Sequence, residues 1–245
     1  MKIFILGIQF MTSLPIPINI NVKREDFQKI VAFFPAIGLI IGLFEAFIYY
    51  ISSRFLTHNS ASFMAIVSHI IITGAIHIDG LGDTADGIFS GRNREKMLEI
   101  MKDSRLGTFG ALAIIVVIVG KVIMIMEMPK HMIITVLIVA PVIARTMNIF
   151  LMYNRKYARQ TEGMGDLFIG VLKKENYIIA LILGVLITII LGGLTGMKMF
   201  VISFIFTILF RNYTEGKLGG ITGDILGASD ELNEFLIYLA MCINI

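Results

Sequence analysis

The sequence predicts an all-α protein, a polytopic transmembrane helix bundle of about six to seven membrane segments with an N-terminal interfacial or re-entrant helix. Three observations lead there. Hydrophobic residues make up 56% of the 245 and mean hydropathy is +0.84, above the roughly 45–50% apolar share of soluble domains. Long uncharged apolar runs recur along the chain, and the loops between them alternate in basic content. No polar stretch is long enough to build a separate core, so residues 1–245 read as a single integral membrane domain.

Residues 1–18 carry one lysine and an apolar run that Pro15 and Pro17 interrupt, with no small-residue cleavage site. That pattern reads as an interfacial or re-entrant helix rather than a removed signal peptide. Crossing a bilayer takes about 20 apolar residues, and runs at 31–53, 61–78, 108–128, 132–153 and 177–196 meet that length or approach it. Two more, 197–210 and 235–245, are short and read as tilted, broken or re-entrant.

Lys23, Arg24 and Lys29 precede the first run, and Arg92, Arg94, Lys96, Lys102 and Arg105 lie between the second and third. Arg155, Lys156, Arg159, Lys173 and Lys174 follow the fourth, and Arg211 and Lys217 follow the sixth. The alternate loops hold only Arg54, Lys130 and Lys198. By the positive-inside rule the long polar loops share the cytoplasmic face, which suits a soluble cytoplasmic substrate. The formal charge of +3 is spread over several loops and gives no reason to expect nucleic-acid binding. Cys242 is the only cysteine, which excludes an intramolecular disulfide and a cysteine-based metal site.

The chemistry concentrates in His77-Ile78-Asp79-Gly80-Leu81-Gly82-Asp83-Thr84-Ala85-Asp86-Gly87. If the second run continues as helix past Ile78, Asp79, Asp83 and Asp86 fall at i, i+4 and i+7 and share one face. Carboxylates so close repel, so a cation is expected among them, and an all-oxygen set suits magnesium. Gly80, Gly82 and Gly87 are expected to let a bulky phosphate-bearing ligand approach the backbone. The bland alternative is a set of solvated loop acids with turn glycines. Three aspartates at helical spacing on the end of an apolar run favour a site.

The segment 92–107 alternates signs like a surface helix. Lys102 and Arg105 are candidates for a phosphate-binding pair, with Asp103 between them as metal ligand or base. Arg92, Arg94 and Lys96 suit phosphate binding or inside-positive anchoring equally. A second glycine-rich cluster, residues 219–229, holds Asp224 on the same expected face, with Glu231 and Glu234 after it. It echoes residues 82–87 weakly, as an internal repeat would. Arg145, deep in the fourth run, needs a carboxylate, a phosphate or water, and reads as a bundle-interior residue. His77 reads as a ligand, a proton carrier or a satisfied polar group, and His69 as structural; Glu45 and Lys121 are intramembrane with no motif around them.

These residues sit in blocks that resemble the adenosylcobinamide-GDP ribazoletransferase, or cobalamin-5'-phosphate synthase, family. The blocks are Phe10-Met11-Thr12-Ser13-Leu14-Pro15-Ile16-Pro17, Phe34-Pro35-Ala36-Ile37-Gly38, residues 77–91, Ile100-Met101-Lys102-Asp103-Ser104-Arg105-Leu106-Gly107-Thr108-Phe109-Gly110, and residues 219–228. The resemblance implies the last stage of vitamin B12 assembly: adenosylcobinamide-GDP reacts with α-ribazole, or its 5'-phosphate, to give adenosylcobalamin, or its 5'-phosphate, and GMP. It implies magnesium as cofactor, and a multi-pass enzyme of the cytoplasmic (inner) membrane of a prokaryote with its active-site loops facing the cytoplasm. On that reading the partners are the two substrates and the lipid bilayer, and a homo-oligomer is compatible.

The expected mechanism is in-line attack by a ribose hydroxyl on the cobinamide-side phosphorus. Asp79, Asp83 and Asp86 hold magnesium, with Asp224 or Asp103 completing the set; Asp86 or Asp103 accepts the hydroxyl proton; Lys102, Arg105 and Arg92 grip phosphate, and Arg145 is a further substrate contact. Two alternatives stand beside it. Asp83-x-x-Asp86-Gly87 matches the start of the CDP-alcohol phosphotransferase signature, but Ile88-Phe89 replaces its Ala-Arg continuation, as a phospholipid synthase would not. A cation-coupled transporter should hold its charges near the bilayer midplane, whereas these acidic clusters lie at the ends of runs on one side.

Overall fold

Pro15 and Pro17 follow closely on the first helix, α1 (Lys2–Met11), which at ten residues is too short to span. The computed structural model describes residues 1–161 and 163–243. After α1, helix α2 (Arg24–Ile30) passes through a 3₁₀ turn into α3 (Phe34–Phe55), with Pro35 in the first turn, where its missing N–H is not needed. Helix α4 (His58–Thr73) is capped by Thr57, which accepts from the Ser60 N–H. There follow α5 (Ile76–Phe89), α6 (Arg94–Ile100), α7 (Thr108–Glu127), α8 (Lys130–Met152), α9 (Lys174–Leu218) and α10 (Gly223–Cys242). The described residues form an all-α fold with one isolated β-bridge.

The expected continuous helix through 61–78 is broken. Gly74 and Ala75 are both left-handed, at φ 61° and 60°, and α5 leaves α4 at 90°. Gly74 is the reason: it ends α4 with its N–H on the carbonyls of Ile70 and Ile71, and Ala75 N–H returns to Ile70. The aspartate-bearing helix is therefore a separate rod rather than the end of a span.

Four helical stretches are long and apolar enough to cross a membrane, Arg24–Phe55, α7, α8 and α9, or five if the bent α4–α5 pair counts as one. Helix α9 has 45 residues, about 67 Å if straight and over twice the ~30 Å hydrocarbon thickness. It is interrupted at Gly193 (φ 53°, ψ −138°). Beyond the break a Cβ on Gly196 would lie 2.6 Å from the Thr188 carbonyl oxygen, so the chain turns back there. The runs 177–196 and 197–210 are the two arms. With the α4–α5 pair taken as one span, counting both arms gives six segments, and adding α10 gives seven. That helix, rather than beginning near 235, starts at Gly223 and carries Asp224, Asp230, Glu231 and Glu234; residues 244–245 of the 235–245 run lie outside the described residues.

Helix α8 is the centre of the bundle, buried almost throughout from Val136 to Met152, and α3 approaches it closely enough that Gly38 and Gly42 lie on its backbone. Apolar packing cannot choose partners among helices in lipid, so polar cross-ties matter. Lys121 of α7 donates to Glu231 (2.7 Å) and Glu234 (2.8 Å) of α10. Arg145 of α8 pairs with Glu234 as well. His69 of α4 bridges Glu45 of α3 (2.6 Å) and Glu231 (3.2 Å), and His77 of α5 lies 3.2 Å from both Arg145 and Asp230. All of these side chains are buried. Ligand atoms of His69, Glu231 and Glu234 lie within 4.8 Å of one another, but the Lys121 ammonium already supplies the cation for both glutamates.

Candidate active site

Helices α5 and α10 run antiparallel and nearly touch: Gly80 lies on the Asp224 backbone and Gly227 on that of His77. Gly82 faces Ile114 and Leu106 at the start of α7, and Gly87 faces Met97 and Met101 at the end of α6. This corrects the expectation that the three glycines make room for substrate. Gly82 and Gly87 serve helix packing, and only Gly80 also borders a cavity. The weak echo between the two segments acquires a physical meaning, since each supplies the small residues that admit the other.

The packing brings Asp79, Asp83 and Asp224 together with an arginine that the sequence did not single out, Arg159. Residues 156–158 pair with Ile221 through Ala158 N–H to Ile221 O and Ile221 N–H to Lys156 O, each 2.9 Å. That short pairing sets Arg159 beside α10, where it donates to Asp224 at 2.6 Å and to the Met101 carbonyl at 3.2 Å. Asp83, outside the spans and half-buried, is pushed up to about 7 by burial and then by the Asp79 and Asp224 carboxylates, with Arg159 opposing. The cluster holds more negative charge than its single arginine offsets.

Asp86 is turned to another task. Its carboxylate accepts from Gly107 N–H (2.7 Å) and Gly110 N–H (2.8 Å), capping the start of α7. The sequence assigned it to metal and proton transfer; in the fold each of its oxygens already accepts one N–H, which ties the carboxylate to α7. Asp86→Ala is expected to destabilise the detergent-solubilised protein by about 1–3 kcal/mol, the cost of leaving buried N–H groups unpaired; an unchanged thermal midpoint would contradict the cap.

Lys102, Asp103 and Arg105 lie on the loop whose Met101 carbonyl touches Arg159, with Lys102 and Arg105 exposed. Asp103 holds Arg105 through Nε (3.0 Å) and an Nη (2.6 Å). That pairing draws the Asp103 carboxyl down to about 2, which makes it a poor proton acceptor at neutral pH. Asp103 orients Arg105 instead. Asp103→Asn should raise the KM of the phosphate-bearing substrate several-fold and leave the shape of the pH–rate profile unchanged; a lost limb in that profile would restore the base. Arg92 is exposed beyond the end of α5. Arg145 is fully buried on Glu234 and His77, a structural pairing rather than a substrate contact. His77 pairs with Arg145 through Nδ1, and its Nε2 lies 3.2 Å from an oxygen of Asp230, whose carboxylate makes no hydrogen bond among the described residues.

Beside Asp79 and Asp224 is a cavity of about 150 Å³, many times the ~10–15 Å³ that one water needs. Its polar lining is His77, Asp79, Asn148, Arg159, Asp224 and Asp230, and its apolar lining includes Phe10, Phe34, Phe168 and Met164. Of these, Asn148 and the 163–168 loop escaped sequence reading, which had only the Gly163-Met164-Gly165 spacing to mark the loop, and Asp230 stood only at the end of the weak echo of residues 82–87.

Comparison with known proteins gives this site a context. The relatives include adenosylcobinamide-GDP ribazoletransferases from Clostridium novyi (strain NT), 42% identical over 98% of this chain and 96% of the relative, and Clostridioides difficile (strain 630), 40% identical over 99% and 98%. A third, from Klebsiella pneumoniae (strain 342), is 37% identical over 98% and 99%. No solved structure matches the chain. The family profile described as cobalamin-5-phosphate synthase matches residues 3–242, the acidic cluster, the capped α7 and the cavity loop included, and the chain belongs to that enzyme family.

Proposed function

We propose that this chain joins adenosylcobinamide-GDP to α-ribazole, or α-ribazole 5'-phosphate, releasing GMP, at a magnesium-dependent site on the cytoplasmic face of the inner membrane. The observation that carries the reading is the convergence of Asp79, Asp83 and Asp224 with Arg159 beside the cavity. The printed names of the relatives supply the substrate class.

The residues fit a magnesium ion. Asp79, Asp83 and Asp224 offer an all-carboxylate set of the hard-oxygen kind magnesium takes, with burial and mutual repulsion raising Asp83. Asp86 holds the start of α7 through both oxygens, so the ion rests first on the other three. Bound there, the metal would neutralise pyrophosphate oxygens and the departing GMP. The chain's own groups do the rest. Arg159 is placed to pass from Asp224 to a phosphate oxygen, and Lys102 and Arg105 extend from the adjoining loop to hold the diphosphate. A ribose hydroxyl oxygen of α-ribazole forms the new bond to the cobinamide-side phosphorus. The bond from that phosphorus to the bridging oxygen breaks, and the hydroxyl proton leaves to a carboxylate or water.

Detergent-purified protein incubated with adenosylcobinamide-GDP, α-ribazole and magnesium is expected to release GMP and form the joined corrinoid. Folded protein that releases none would remove this reading.

A further inference from the structure

The cavity beside the carboxylates has a mixed lining. Phe168 lines it with its ring centroid 5.3 Å from that of Phe10 and 6.0 Å from that of Phe34, tilted at 54° and 57°. Asp79 and Asp224 border the same cavity. Asn148, on the wall, is 2% exposed, and its amide oxygen has no hydrogen-bond partner. A buried amide left unpaired beside a cavity is costly unless a ligand completes it.

We infer, on the basis of the function proposed above, that this cavity receives the base of the nucleoside substrate. The flat ring of α-ribazole lies among Phe10, Phe34 and Phe168, with its ribose directed at Asp79 and Asp224. Two chemical arguments select this occupant. Guanine is flat, but its edge carries several donors and acceptors; of the buried side-chain oxygens in the lining only those of Asn148 and Asp230 are unpaired among the described residues, and the Asp230 carboxylate is already held beside His77 (3.2 Å) and Arg145 (4.0 Å). A benzimidazole-type base has apolar faces and one ring nitrogen free after glycosylation, so a single amide is enough to serve it. The Asn148 NH2 can donate to that nitrogen while its unpaired oxygen accepts from a sugar hydroxyl. The aromatic residues then set which lower base is accepted, by shape and stacking rather than by a hydrogen-bonding code.

The test uses purified full-length protein with free benzimidazole as probe. Benzimidazole should inhibit competitively against α-ribazole and not against adenosylcobinamide-GDP, while imidazole, which lacks the fused ring, should do neither. In calorimetric titrations, Phe168→Leu, which keeps an apolar side chain but loses the flat face, should weaken α-ribazole binding roughly tenfold. Inhibition by the product GMP should be unchanged in that variant, which also shows that the site is folded. Competition against adenosylcobinamide-GDP, or an equal loss of GMP inhibition, would place guanine in the cavity and overturn the assignment. Because the benzimidazole measurement needs no variant, it decides the matter even if Phe168→Leu is unstable. Wild-type protein that releases no GMP removes the proposed function and this assignment with it. Release of GMP without benzimidazole competition removes the pocket assignment alone.

Discussion

Asp83→Asn is expected to lower magnesium-dependent GMP release by on the order of 10²- to 10³-fold, the usual effect of losing a group that stabilises developing charge. Asp83 sits in the middle of the α5 face, coupled to Asp79 on one side, Asp86 on the other and Asp224 across the helix pair. The amide keeps the shape of the side chain and removes its charge, so the fold should survive. Relief of repulsion should even leave the metal-free variant no less stable than wild type. The pH dependence gives an independent check. Burial and the neighbouring carboxylates hold Asp83 at about 7, so below that pH a metal has to displace a proton. Magnesium affinity in the wild type should rise as pH rises through 7 and then level off, and the rise should be much smaller in Asp83→Asn. Full turnover in a folded Asp83→Asn protein would sink the metal assignment.

The second large effect is on stability. Lys121→Met should cost about 3–5 kcal/mol, the penalty for breaking a buried ion pair from one side. Lys121 is 1% exposed, and its ammonium serves Glu231 and Glu234 at once. Without it, two carboxylates of α10 face each other with only His69 and Arg145 nearby. Adding Glu231→Gln to Lys121→Met should recover part of the loss, since the surplus charge goes with it. Unfolding of the detergent-solubilised protein, followed by helicity, measures both. A loss below about 1 kcal/mol would mean that the network contributes little to holding α7 against α10.

That network shows where sequence reading stops. Glu45, His69 and Lys121 lie on three different helices, each without a local motif, and Arg145 asks for a partner that no spacing names. Glu45 finds its partner in His69, and His69, Lys121 and Arg145 find theirs in Glu231 and Glu234, far along the chain. Asp86 is the sharpest case. Its place at i+7 from Asp79 on one helix face was readable and correct, yet its carboxylate belongs to α7 because Gly107 and Gly110 present their N–H groups there. Arg159 is the reverse: by sequence one basic loop residue among several, it reaches Asp224 only because residues 156–158 pair with Ile221.

By itself the sequence determined the all-α membrane character, the helix carrying Asp79, Asp83 and Asp86, and the family likeness. These depend on hydropathy, helical period and residue order, which are properties of neighbours along the chain. Only the tertiary structure decided the 90° break before that helix, the union of Asp83 with Asp224 and Arg159, and the diversion of Asp86 and Arg145 to structural partners. Where water is scarce, a polar group takes whichever distant partner the packing brings within reach, and no local pattern records which one that is.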